Sequence, residues 1–358
     1  MASSASQAQA PLATAVDRVL AARDIFPFTT PGHKRSSKLA DPLLALDLPL
    51  ATGADDGHLS GGVLQRAEAL AAELWGAEHC RFSVNGSTHA NQALALAVGR
   101  PRDRVLVARN LHKSLLMGLV FAGLDPVWIH PSVDPRTGLA LTVPAAEIAR
   151  ALADAPDARA VFLVEPSFFG VVGDISRAAD LAHGAGIPLI VDQAWGSHFG
   201  FHPDVPPAAI SQGADAQVIS THKTLAAFTQ SALLLARSGF LDLDRLDEAF
   251  DALNTTSPSA AIYGSVDRMR RRMASEGEGL VAEAVRLRAG RSGRSPRSRA
   301  SRCSATGSPA ITATWATTPP RSSSRWRGRA PTASTSSVTS GTPASGSSWQ
   351  TATPSCRS

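Results

Sequence analysis

Short apolar runs, bounded by polar turns and separated by helical stretches, recur between residues 63 and 236, and this alternation narrows the fold more than any other feature. The runs RVLVA (104–108), AVFLV (160–164) and IPLIV (187–191) offer almost no polar side chain to water, so each must be covered on both faces. That is the situation of strands in a parallel sheet. Further strands are expected at 81–84, 126–129, 216–220 and 232–236. Between them, residues 63–76 (VLQRAEALAAELWG) put Leu64, Ala67, Leu70, Ala71 and Leu74 on one helical face. Helices are likewise expected at about 90–98, 114–122, 145–153, 177–183 and 268–288. Strands alternating with helices predict an α/β fold, a mostly parallel sheet with helices on both faces.

Charge divides the chain. The formal net charge is +5, yet residues 289–358 contain 10 arginines and no Asp, Glu or Lys, which leaves 25 basic against 30 acidic residues in 1–288. The body is therefore mildly acidic, and a nucleic-acid partner is not expected. The stretch 289–358 is nearly all Ser, Thr, Ala, Pro, Gly and Arg and lacks Leu, Phe and Met, a composition unable to bury a core. It reads as a low-complexity, disordered segment that is either a native basic arm or the out-of-frame translation of a GC-rich gene. Trp315, Trp326 and Trp349, together with 31 arginines against 4 lysines in the whole chain, favour the second. The expected organisation is an N-terminal extension with a helix (1–23), a body (24–288) and this tail (289–358). No apolar stretch of about 18 residues spans a membrane, and MASSASQAQA lacks the basic and apolar regions of a secretory signal, so a cytoplasmic protein is expected. Cys80, Cys303 and Cys356 are too few and too scattered for a disulfide framework or a zinc site.

Ligands of open α/β sheets collect at the carboxyl ends of strands, so polar residues just after each apolar run carry the functional expectation. Four places qualify. Asn85-Gly86-Ser87-Thr88-His89-Ala90-Asn91 leads into a helix and offers free N–H groups and two hydroxyls to a phosphate, or else is a plain Ser/Thr helix cap. Asp192 ends a buried strand and needs a cation or donors, either a loop-capping role or a protonated pyridine nitrogen. Ser220-Thr221-His222-Lys223 follows another strand, and of Lys34, Lys38, Lys113 and Lys223 only the last directly follows an inner strand. A partly desolvated lysine there can form a Schiff base with an aldehyde cofactor or a carbonyl substrate; a solvated surface lysine is the alternative. His112, in Asn110-Leu111-His112-Lys113-Ser114, can stack on an aromatic ring or simply be solvated.

These places, together with Thr30-Pro31-Gly32-His33-Lys34-Arg35, Glu165-Pro166-Ser167-Phe168-Phe169-Gly170, Asp192-Gln193-Ala194-Trp195 and Thr256-Ser257-Pro258-Ser259, occur in one order. In that string the body resembles the Orn/Lys/Arg decarboxylase family, pyridoxal-phosphate enzymes of the aspartate-aminotransferase fold (fold type I), from about residue 24 to 288. It looks most like the shorter members. The resemblance implies decarboxylation of arginine, lysine or ornithine to the amine and CO2. It implies that Lys223 carries the cofactor, Asp192 pairs with the pyridine N–H and His112 stacks on the ring. Gly86, Ser87, Thr88 and Ser220 would bind the phosphate, and His222 and Trp195 would line the pocket. Thr256 would reach the phosphate of a neighbouring subunit in a homodimer. The family's small C-terminal α/β domain is expected after 288, where the tail stands instead. Other expectations remain open: aminotransfer or a lyase reaction on the same fold, an inactive remnant, and a metal site from His198, His202 and Asp204 with Asp192.

Overall fold

The computed structural model describes residues 4–22, 30–36, 42–51, 54–55 and 62–292. The tail beyond Ser292, with Cys303 and Cys356, lies outside them. Seven strands, β1 (His79–Ser83), β2 (Arg104–Ala108), β3 (Asp125–Ile129), β4 (Val161–Val164), β5 (Leu189–Asp192), β6 (Ala216–Ile219) and β7 (Ala232–Ala236), form one sheet. Their order is β1-β7-β6-β5-β4-β2-β3. Neighbours from β6 to β3 are parallel. β7 runs antiparallel to both β6 and β1. Two reversals cancel, so β1 points the same way as β6, and the carboxyl ends of β1, β2, β4, β5 and β6 share one edge of the sheet. β7 begins at that edge.

The helices are α1 (Ser4–Gln7), α2 (Pro11–Ala21), α3 (Val63–Trp75), α4 (Gly86–Val98), α5 (Lys113–Ala122), α6 (Ala145–Asp154), α7 (Ile175–Gly184), α8 (Thr221–Thr224), α9 (Leu243–Leu253) and α10 (Ala260–Ser292). Strand alternation sorts the core. Val105, Val107, Phe162, Ile190 and Val218 face α4, α5 and α9. Leu106, Val161, Leu163 and Val191 face α6 and α7. Phe82, Ile219, Leu233 and Leu235 face α2, α3 and α10. Both faces of the inner strands are buried, as the apolar runs require.

α9 went unanticipated because Asp244, Asp247, Glu248 and Asp251 mask its two buried residues, Leu246 and Phe250, one turn apart. Its start is signalled by Asp242, which accepts a hydrogen bond from the Arg245 N–H at 3.1 Å. α4 begins at Gly86, four residues before the expected start, so Ser87 and Thr88 lie in its first turn. α10 likewise begins at Ala260 rather than about 268. None of these helices is long and apolar enough to cross a membrane.

The N-terminal segment is fastened to α10 by an ion pair with no side-chain exposure, Asp267 with Arg270 at 2.9 Å. Asp267 also accepts from the Leu12 and Ala13 N–H groups at 3.0 and 3.1 Å, capping α2 where no side chain of its own N-cap residue does so. Arg270 donates to the carbonyls of Gln7, at 2.7 Å, and of Gln9. Removing one partner strands a buried charge. Asp267→Ala is expected to lower unfolding free energy by about 3–5 kcal/mol in urea denaturation. Arg150→Ala, which breaks exposed pairs with Glu147 and Asp154, should leave the unfolding midpoint nearly unchanged.

Candidate active site at the strand carboxyl ends

Asp192 ends β5 and is 5% exposed. One carboxylate oxygen accepts from the Asn91 side-chain amide at 2.8 Å, the other from the Ala194 N–H at 3.1 Å. The same Asn91 nitrogen donates to Ser114 Oγ at 3.0 Å. Ser114 Oγ in turn lies 2.8 Å from His112 Nδ1. His112 is the N-cap of α5, its Nδ1 accepting from the Ser114 N–H at 3.2 Å. Burial pushes the His112 pKa down; Asp192 opposes this, while Lys223 and Lys113 add to it. One ring thus caps a helix and stands among the charged groups of the edge.

Lys223 sits on α8, directly after β6, with Nζ 4.8 Å from the Trp195 ring centroid. Burial lowers its pKa below the ordinary lysine range, and Asp192 pulls the other way. The start of β7 secures this turn. Thr221 Oγ1 donates to Ser231 Oγ at 2.7 Å, and His222 Nδ1 is 2.7 Å from the Ser231 carbonyl, to which it donates. Ser197 Oγ donates to the Ser220 carbonyl at 2.8 Å. The hydroxyls of Ser220 and Thr224 are buried without a hydrogen-bond partner.

After β1, Gly86 adopts φ 71°, a left-handed conformation, with open space where a Cβ would stand. Its N–H donates to the Gln230 carbonyl at 2.7 Å. The N-cap of α4 is Asn85, whose side chain makes no capping bond, so the alternative of a plain Ser/Thr cap at this turn is not what forms. With the Gly86 N–H given to Gln230 and no side chain capping the helix, the positive end of α4 lies beside Ser87 and Thr88.

After β4, Glu165 is 3% exposed, and burial raises its pKa to about 8 despite a 2.7 Å bond from the Gly173 N–H. Phe168, 74% exposed, meets Trp195 edge-on at 5.8 Å.

Residues of all four expected places thus lie at one edge, together with Trp195. Thr256 does not join them: it is exposed in the α9–α10 connection, with no hydrogen bond or ion pair to the cluster among the described residues. The metal expectation gains no geometry either. His198 is buried, its pKa pushed down to about 4, while Asp204 is exposed, and no group of three or more metal-capable side chains converges among the described residues. Asn91, Ser114 and Ser231 were missed as site residues. Asn91 and Ser114 stood inside the quoted motifs, but only a contact between two helices shows what they join.

A mostly parallel sheet covered by helices, with a desolvated lysine, a buried carboxylate and an imidazole at its carboxyl edge, makes this an α/β protein with a candidate ligand site at the strand ends. More particularly, the family model "Orn/Lys/Arg decarboxylase, major domain" matches residues 16–329, and the chain belongs to that family. An arginine decarboxylase of Bacillus subtilis is 36% identical over 291 residues, covering 79% of this chain and 59% of the relative's length. A lysine decarboxylase of Pseudomonas aeruginosa is 31% identical over 231 residues, covering 58% of this chain and 30% of that one. The solved constitutive lysine decarboxylase of Escherichia coli aligns with TM-score 0.66 at 23% identity, over 79% of this chain and 43% of its own, and shows the fold. The chain spans under two thirds of the length of these relatives.

Glu165 yields a pH prediction. With a folded pKa of about 8 against an ordinary 4.5, the folded state holds a proton that the unfolded state has released. Its contribution is full below pH 4.5 and is lost as pH rises to about 8. Glu165→Gln removes that slope, leaving the separate one of Glu68, also raised to about 8 by burial. The variant's stability relative to the parent, from denaturation curves, should therefore improve from pH 5 to pH 8 by on the order of a few kcal/mol.

Proposed function

We propose that residues 24–288 form the pyridoxal-phosphate-binding body of a decarboxylase acting on a basic amino acid, in the cytoplasm, as a homodimer. The observation that carries this reading is Lys223, an amine shifted toward its neutral form by burial and set beside Asp192 at the end of the sheet. Features of the chain fit the cofactor. Ser220 and Thr224 hold buried hydroxyls in need of partners, and the open space at Gly86 adjoins the uncapped start of α4. Such a set of donors suits a phosphate.

When bound, pyridoxal phosphate supplies an aldehyde that captures amines and a protonated ring that accepts the electron pair left when CO2 departs. The chain's residues do the rest. Lys223 is the covalent anchor, its nucleophilic amine favoured by desolvation and sheltered by the Trp195 ring. Asp192, with a donor on each oxygen, would supply the carboxylate that pairs with a ring N–H. His112, whose protonation burial disfavours, would stack its imidazole on the ring. Ser87, Thr88, Gly86 and Ser220 hold the phosphate, and His222, tied to Ser231, keeps the lysine turn in place. Thr256, exposed on its own chain, is available to the phosphate pocket of a second copy.

The substrate is arginine, lysine or ornithine. Arginine is the first to assay, because the arginine decarboxylase is the more identical of the two relatives above.

Borohydride reduction of the chain loaded with pyridoxal phosphate, followed by peptide mapping, should place the label on Lys223. A label on Lys113 would overturn the assignment. Asp192→Asn should keep the phosphate pocket and bind cofactor while CO2 release falls by roughly 100-fold or more. Activity within a few-fold of the parent would remove the proposed role of Asp192.

A further inference from the structure

We propose that Asn91 and Ser114 are positioning residues: one amide and one hydroxyl fix both the orientation of the Asp192 carboxylate and the tautomer of His112, so that the two groups are set as a unit. This rests on the reading of Asp192 and His112 as groups flanking the cofactor ring.

An amide nitrogen carries two hydrogens and accepts nothing. Asn91 Nδ2 lies 2.8 Å from Asp192 Oδ2 and 3.0 Å from Ser114 Oγ, so both oxygens accept from it. The reverse flip would set the amide oxygen against the carboxylate, two acceptors in contact. Ser114 Oγ, having accepted, has one hydrogen left to donate, and His112 Nδ1 stands 2.8 Å away. The Ser114 N–H is directed at the same nitrogen, at 3.2 Å. Two donors meet at Nδ1, so Nδ1 carries no hydrogen and the ring proton is on Nε2. The carboxylate sets the amide, the amide sets the hydroxyl, and the hydroxyl sets the imidazole.

Water cannot substitute for these partners: Asn91 and Ser114 are each 2% exposed. Protonating His112 at Nδ1 would turn the Ser114 hydroxyl away from its acceptor and oppose two N–H groups, a cost added to that of burial. The charged groups around the ring come from three elements, Asp192 on β5, Lys223 on α8 and Lys113 on α5, and only the first favours protonation. The relay thus keeps the imidazole neutral at the place where a protonated pyridine would lie against it.

Tight helix contact makes the relay possible. A Cβ on Gly118 of α5 would stand 3.0 Å from Ala95 Cβ and from Gln92 Cα of α4, so only glycine lets the helices approach this closely. Ser114 lies one turn before Gly118 on α5, and Asn91 one turn before Ala95 on α4.

The test uses the full chain without cofactor, its histidines 15N-labelled, with long-range 1H–15N correlation NMR and assignment by loss of signal in His112→Gln. The parent should show His112 as the Nε2–H tautomer. Ser114→Ala, which leaves the Asn91–Asp192 bond intact and only the backbone N–H of residue 114 as a donor to Nδ1, should weaken the Nε2–H preference so that the Nδ1–H tautomer becomes detectable, and raise the His112 midpoint by about one pH unit. Ser114→Thr, which keeps the hydroxyl, should restore the parent spectrum. Asn91→Leu should mix the tautomers as well, although Asn91 touches neither ring nitrogen, with its fold checked by circular dichroism. If Ser114→Ala leaves both tautomer and midpoint unchanged, the relay is overturned. Because no cofactor is present, this result stands apart from the borohydride labelling: a label away from Lys223 would refute the proposed function and leave the relay intact.

Discussion

A carboxylate closed into the end of a strand that is buried on both faces is the constraint around which the sheet edge is arranged. Such a charge costs several kcal/mol unless donors replace its water. For Asp192 one donor is local, the Ala194 N–H, and the other comes from α4. α4 is held in the register that delivers Asn91 by Ala90, Ala93 and Leu94, none of which is exposed. Their packing on Val107, Phe162 and Val218 is what the apolar runs of the sequence provide. The polar centre and the core are therefore one problem: a shift of α4 that loosened the core would also strand the carboxylate.

The antiparallel strand has a corresponding role on the other side. Had β7 been parallel, its amino end would lie at the far edge of the sheet. Because it runs the other way, Ser231 arrives at the carboxyl edge and binds Thr221 and His222 on either side of their shared peptide, with Lys223 next in sequence. A helix as short as α8, Thr221–Thr224, has little stability of its own and depends on such tertiary bonds. Gln230, the residue before, accepts from Gly86 and so ties the α4 turn to the lysine turn.

The sequence made the sheet legible because period-two and wholly apolar runs follow directly from burial. The strands at 104–108 and 232–236 form where expected. It made the edge residues legible because polar side chains directly after such runs have nowhere else to go. Two kinds of information were hidden. The reversal of β7 leaves no trace in its composition, ALLLA, since a strand covered on both faces looks the same in either direction. The relay through Asn91 and Ser114 joins residues 23 positions apart on different helices, and nothing in either segment indicates the contact. Gly118 was its one local trace, a helix-interior glycine that only close packing explains.

The electrostatic consequence joins these parts. Burial pushes both basic groups of the edge, Lys223 and His112, toward their neutral forms, whereas the acidic group among them, Asp192, keeps a donor on each oxygen. Hydrogen bonds to a carboxylate favour its charged form, and desolvation of an amine or imidazole disfavours theirs. Burial disfavours the charged form of any such group, and of the three only the carboxylate has a hydrogen-bond donor on each oxygen to offset that cost. The edge thus sets a carboxylate with two donors beside two basic groups whose charged forms burial disfavours. Under the proposed function, a protonated pyridine nitrogen would find its partner in that carboxylate, and a cationic imidazole beside it would be unfavourable. Asn91 therefore bears on the charge of the edge as well as its shape, since its two hydrogens support the carboxylate and, through Ser114, hold the imidazole neutral.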